Sequence, residues 1–190
     1  MPPLVFTIAG PGTEYGIDPV SLRAVALDPT TMRAIATDLA RSGEAAEDAG
    51  QAASRKSQAA FMLATAGAAA SAECLLRDAL RTQASGPVRP LVVSRLRLVQ
   101  VLQELGRPAE ALSEARAALA AVRSTPALAE LEDFALHHNG KALLQAGDKA
   151  QAIQVLGEAL RLRRHKGGEL LIRSSEMAIS AAMQDGRADP

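Results

Sequence analysis

The side chains best equipped for chemistry in this chain are three histidines, His137, His138 and His165, and a single cysteine, Cys74. Successive positions on a helix diverge by about 100°, so His137 and His138 point apart and do not easily share one metal. Asp133 stands four residues before His137, on the same helical face, but two ligands fall short of the four-coordinate set that a structural zinc site requires. The sequence has no Walker loop, no dinucleotide-binding glycine fingerprint, no Gly-x-Ser-x-Gly elbow and no Cys-x-x-Cys. We therefore expect no catalytic residue, no metal site and no cofactor, and read the chain as a non-enzyme. Cys74 lies in Ala72-Glu73-Cys74-Leu75-Leu76, with no basic neighbour to activate its thiol. It is expected to be a small buried hydrophobe, and a lone cysteine calls for no oxidising compartment.

A second candidate is the basic run Arg161, Arg163, Arg164, His165 and Lys166. It ends at Gly167-Gly168, so these cations read as the last turn of a helix, where they complement the dipole. The whole chain carries 21 basic and 21 acidic residues. A zero net charge lacks the footprint of a nucleic-acid binder or of a polybasic membrane-surface protein, so neither partner is expected. Met1 to Gly10 has a short apolar run without a positive region before it, which reads poorly as a signal peptide. No apolar stretch approaches the roughly 20 residues needed to cross a bilayer. The expected location is cytoplasmic.

The elements that position such side chains are helices. Aromatic residues make up 2% of the chain, with no Trp, one Tyr and three Phe. The core must be built from aliphatic residues and much Ala, which suits closely packed helices and suits a β-sandwich poorly. Residues 1–28 differ: Pro2, Pro3, Gly10, Pro11, Gly12, Gly16 and Pro19 break helix at high density. Leu4 to Ile8 suits a short strand or an extended stretch, and the segment as a whole is expected to be flexible or loosely docked. Asp28-Pro29 is a helix start, followed by Met32, Ile35, Ala36 and Leu39 on one face. That helix is expected to weaken at Ser42-Gly43 and to end near Gly50. A clear break spans 84–90.

Three segments then run in parallel. Leu63 to Gly67 is followed by Ala72 and by Ala79-Leu80, Leu102 to Gly106 by Ala111 and Ala118-Leu119, and Leu143 to Gly147 by Ala152 and Ala159-Leu160. The glycines Gly67, Gly106 and Gly147 are 39 and 41 residues apart. A glycine permits the tight turn between two helices, and alanines spaced by seven let the second helix pack closely on the first. Pro108, Asp148 with Gln151, and Thr125-Pro126 mark further helix starts.

This pattern resembles the tetratricopeptide repeat family. The third repeat is the nearest, with Gly140 at the small position of the first helix, Gly147-Asp148 at the turn, and Ala152 and Ala159 at the small positions of the second. The first repeat has Ala60 at the first of these positions and the second has Val99. The resemblance implies an all-α fold: a right-handed stack of antiparallel helix hairpins, a tetratricopeptide-like α-solenoid with long repeats at about 52–83, 91–123 and 126–165. A capping helix at about 168–184 would close the stack, within a single domain of residues 29–186.

In such a stack the first helix of each repeat lines a concave groove. The resemblance then places Arg97, Gln100, Glu104, His137, His138, Lys141 and Gln145 in that groove as partner-binding residues. Ser54, Ser57 and Phe61 match them in the first repeat. Ser57, Arg97 and Phe134 stand where the family's lysine–asparagine clamp for a terminal carboxylate would show itself, and that clamp is absent. The leading expectation is a protein-interaction module, an adaptor or assembly factor, that holds a protein or peptide. The alternatives are a regulatory or sensor protein taking a small ligand or signalling peptide and, behind these, a secretion-associated helical protein. Self-association into a homo-oligomer is left open.

Overall fold

The computed structural model describes residues 4–184, so Met1 to Pro3 and residues 185 and 186 of the expected segments lie outside the described residues. Asp28 starts the helical part: its Oδ1 accepts from the backbone N–H groups of Thr30 and Thr31 at 3.1 and 3.0 Å, with Pro29 in the first turn. Helix α1, Pro29–Glu44, buries Met32 and Ala36 completely. It ends earlier than its pattern predicts. The Asp48 carboxylate accepts from Gln51 N at 2.6 Å and starts α2, Ala49–Thr65, so Gly50 lies in the first turn of the second helix. A new cap has won over continued propensity.

Six more helices follow among the described residues: α3 Ala69–Gln83, α4 Val88–Glu104, α5 Pro108–Ser124, α6 Glu132–Gln145, α7 Lys149–Lys166 and α8 Glu169–Gln184. Thr125-Pro126 opens a 3-10 turn, Pro126–Leu131, ahead of α6, and Thr125 makes no side-chain cap. Each helix packs on the next along the chain, and α2 with α4, α4 with α6, and α6 with α8 also touch.

The internal repeat is written into the backbone. Gly67, Gly106 and Gly147 have φ of +84°, +69° and +90°. At each, the residue after the glycine donates back five positions, Ala68 N to Leu63 O, Arg107 N to Leu102 O and Asp148 N to Leu143 O, at 2.8–3.0 Å. Each glycine N–H donates three positions back as well. These are three Schellman turns, which use a left-handed residue to satisfy the carbonyls of a helix end. The paired alanines Ala72 and Ala79, Ala111 and Ala118, and Ala152 and Ala159 are all fully buried. Cys74 corrects the expectation of burial, because it is exposed. Ala72, Leu76 and Ala79 take the inward face of α3, and Cys74 is about 200° from Ala72 around the helix.

The described part of the N-terminal segment, 4–28, forms an antiparallel sheet of β1 Val5–Thr7, β2 Glu14–Ile17 and β3 Ala24–Ala26, in that spatial order. Phe6 pairs with Tyr15, and Tyr15 with Ala26. Val25 is exposed while Ala24 and Ala26 are buried, the alternation of a sheet with one covered face. The Gly10–Thr13 turn is tied by Thr13, whose Oγ1 accepts from Ala9 N at 2.9 Å and donates to Gly10 O at 2.6 Å. Glycines and prolines that forbid a helix are used here as strand punctuation. The seal comes from burial of Leu4, Leu22, Ala24 and Ala26.

Candidate functional site

The sheet lies along the side where α2, α4, α6 and α8 meet. Its Tyr15 ring meets Phe61 of α2 edge-on at 5.7 Å. The Arg23 guanidinium donates to the Gln103 carbonyl of α4 at 3.3 Å. Lys141 Nζ of α6 donates to the Leu22 carbonyl, and the Leu22 side chain packs with Leu156 and with Ala178 of α8. Leu22 has φ +56°, an uncommon conformation for a side-chain-bearing residue. It is held there by Leu22 N donating to Asp18 O and by Asp18 N donating to Arg23 O, both at 2.9 Å.

Between sheet and helices is a cavity of about 370 Å³. Phe6, Tyr15, Phe61 and Phe134 all line it, and these are the only aromatic residues in the chain's sequence. Phe6 and Tyr15 are stacked, with centroids 5.2 Å apart. A second space of about 560 Å³ lies beside it, bounded by Val20, Arg23, Gln103 and Gln145, and shares Leu22, Gln100 and Lys141 with the first.

Five of the residues assigned to a groove, Arg97, Gln100, His137, His138 and Lys141, come together in the wall of the aromatic cavity. Gln145 borders the second space and donates to Gln103 O at 2.9 Å. Glu104 lines neither. Its half-buried carboxyl has Oε1 without a hydrogen-bond partner. Burial pushes its pKa up to about 7, against the pull of Arg23 and Lys141. Burial also lowers Lys141 to about 8. Arg97 Nη1 donates to Ser57 Oγ at 2.9 Å, and Ser94 Oγ donates to the same oxygen at 2.8 Å.

Aromatic scarcity is the signal that sequence reasoning passed over. Two of the four rings, Phe6 and Tyr15, belong to a segment read as a tail, and Phe134 was placed only as a missing clamp position. Arg163 was also missed, read as one more cation at a helix end. It is 2% exposed, donates to Asp133 Oδ2 at 3.2 Å, to Leu171 O at 3.0 Å and to Ser175 Oγ at 2.8 Å, and sits 5.4 Å over the Phe134 ring. Asp133 therefore faces Arg163 and Lys166 rather than forming a ligand pair with His137. The His137 and His138 rings are 83° apart, and no group of three His, Cys, Asp or Glu side chains gathers among the described residues.

Both histidines are held neutral. Burial lowers His137 well below the usual value, and lowers His138 to about 3, with Arg163 and Lys141 adding repulsion. In the unfolded chain both take up a proton as pH falls through about 6.5. The folded chain does not, so stability falls with pH from 6.5 downward. Glu104 acts oppositely between about 7 and 4.5, since its folded form keeps a proton that the unfolded form has lost. Two imidazoles outweigh one carboxyl below about pH 6. The melting temperature is expected to drop between pH 6.5 and 5, and His138→Gln to flatten that slope. A wild-type melting temperature that stays level over this range would contradict the neutral state of both rings.

No protein-family model matches this chain, and comparison with curated proteins and with solved structures found no match. No helix among the described residues is long and apolar enough to cross a membrane.

Proposed function

We propose that this chain is a non-catalytic binding protein of the tetratricopeptide-like kind, and that it acts as a sensor for a small ligand held beneath its own N-terminal sheet. In this reading α2 to α7 are three stacked repeats, α8 caps them, and α2, α4 and α6 line a concave groove. The three Schellman turns, the six buried alanines and the serial contacts of α2, α4, α6 and α8 support it. One observation carries the ligand reading. Every aromatic residue of an aromatic-poor chain converges on one 370 Å³ cavity, walled by the sheet and by all four of those helices. Ligand pockets are mostly apolar, with a few placed polar groups, and run to roughly 300–1,000 Å³.

The test is to purify the protein from its native source, denature it, and identify released small molecules by mass spectrometry. A compound recovered at one per chain, which raises the melting temperature when added back to ligand-free protein, is the expected result. Protein that releases nothing, and that no metabolite stabilises, would defeat the reading.

A second reading, the adaptor that holds a protein or peptide, is favoured by how the sheet is held. Lys141 grips the chain's own N-terminal segment by a backbone carbonyl at the turn before β3, as it would a partner's. A partner kept by the wild type in a pull-down and lost by a folded Arg97→Glu/Lys141→Glu variant would favour this reading over the first.

A further inference from the structure

Charge in the cavity wall is one-sided. Arg97, Lys141 and Arg163 line it with two neutral histidines, and no Asp or Glu does. Arg163 is already matched by Asp133. Lys141 lies near Glu104, beyond the wall, and is engaged by the Leu22 carbonyl. Arg97 has no such match: its guanidinium donates to the neutral Ser57 hydroxyl, and among the described residues no carboxylate lies within ion-pair distance of it. Burial draws its pKa down to about 10, with no counter-charge to raise it, yet it remains a cation at neutral pH. A half-buried guanidinium with no carboxylate beside it is a cost to the fold. Such groups are kept where a ligand supplies the missing charge, and the planar fork of arginine suits a carboxylate.

We infer that the cavity binds a monoanionic carboxylate with an apolar body, the carboxylate seated on Arg97 and the body lying among Phe6, Tyr15, Phe61 and Phe134. This rests on the ligand-cavity reading and assigns the class of ligand. One unmatched cation calls for one negative charge. Four aromatic rings, with Leu96 and Ala178, call for hydrocarbon at the other end.

Tyr15 is the chain's single tyrosine and there is no tryptophan, so its emission reports directly on the cavity wall. The full chain is titrated with octanoate and 4-phenylbutyrate, and with the primary amide of each, followed by Tyr15 fluorescence and by calorimetry. Saturable one-to-one binding of the carboxylates is expected, with the amides at least tenfold weaker, because a site built around a charge rejects an isostere that lacks it. Arg97→Gln keeps a partner for Ser57 and removes the charge. It is expected to weaken the carboxylates at least tenfold and to raise the melting temperature of the ligand-free protein, a combination that mere misfolding does not produce. Amides that bind as tightly as the acids would overturn the charge assignment and leave the cavity reading intact. Carboxylates that bind Arg97→Gln as well as wild type would overturn the seat on Arg97. Failure of acids and amides alike to bind the wild type would overturn both this inference and the ligand-cavity reading.

Discussion

Asp133→Ala is expected to destabilise the fold by about 3–5 kcal/mol, the cost of leaving a buried cation without its partner. Asp133 and Arg163 are 1% and 2% exposed, and their ion pair joins α6 to α7. Arg163 also donates to Leu171 O and Ser175 Oγ in α8, so one guanidinium ties three helices. Burial alone lowers the Arg163 pKa, and Asp133 works against that. Removing the carboxylate leaves the desolvation in place and withdraws what offsets it. For a chain of this size about 1 kcal/mol moves the melting temperature by roughly 2–4 °C, so a drop on the order of 10 °C is expected. The double replacement Asp133→Leu/Arg163→Met should recover much of the loss, since a buried pair exchanged for apolar side chains is often close to neutral. A single variant as stable as the wild type would mean that the pair is not buried as described.

The second large effect contrasts two glycines on facing helices. A Cβ built on Gly140 would meet Leu156 Cγ at 2.5 Å and Cδ2 at 2.8 Å, with the Leu156 backbone nitrogen at 3.3 Å. Leu156 is fully buried and has little room to yield. Gly140→Val is expected to cost about 1–3 kcal/mol in a urea unfolding series, from overpacking between α6 and α7. Gly157 also lies inside α7, but nothing approaches its Cβ position within 4 Å. Gly157→Ala is expected to stabilise by about 0.5–1 kcal/mol, because only the backbone entropy of glycine is at stake there. The opposite signs matter more than the sizes. If both replacements stabilise, α6 and α7 do not approach as closely at Gly140 as their packing indicates.

Much of the helical part was legible because it rests on local chemistry. Asp28-Pro29, Pro108 and Asp148 each mark a helix start, and each does so in the structure. The expected end of the first helix was less accurate, because two signals competed over 43–50 and the Asp48 cap decided it. The three strands were harder to read. Each is three or four residues long, too short for period-two alternation to stand out, and short strands are stable only through what they pack against. The candidate site was half legible. The resemblance to a repeat stack put Arg97, Gln100, His137, His138 and Lys141 on one side, but the roof over them comes from residues whose long-range pairing no local pattern announces.

By itself, then, the sequence determined the three glycine turns and the helix starts at Asp28-Pro29, Pro108 and Asp148. A positive φ at Gly67, Gly106 and Gly147 is a demand that the backbone makes locally. Only the tertiary structure decided what those helices face. Desolvation and close packing depend on residues far apart in the chain, such as Asp133 with Arg163, Gly140 with Leu156, and Leu22 with Lys141. The same forces folded the N-terminal segment onto the α2–α4–α6–α8 side and gathered four scattered aromatic rings around one cavity.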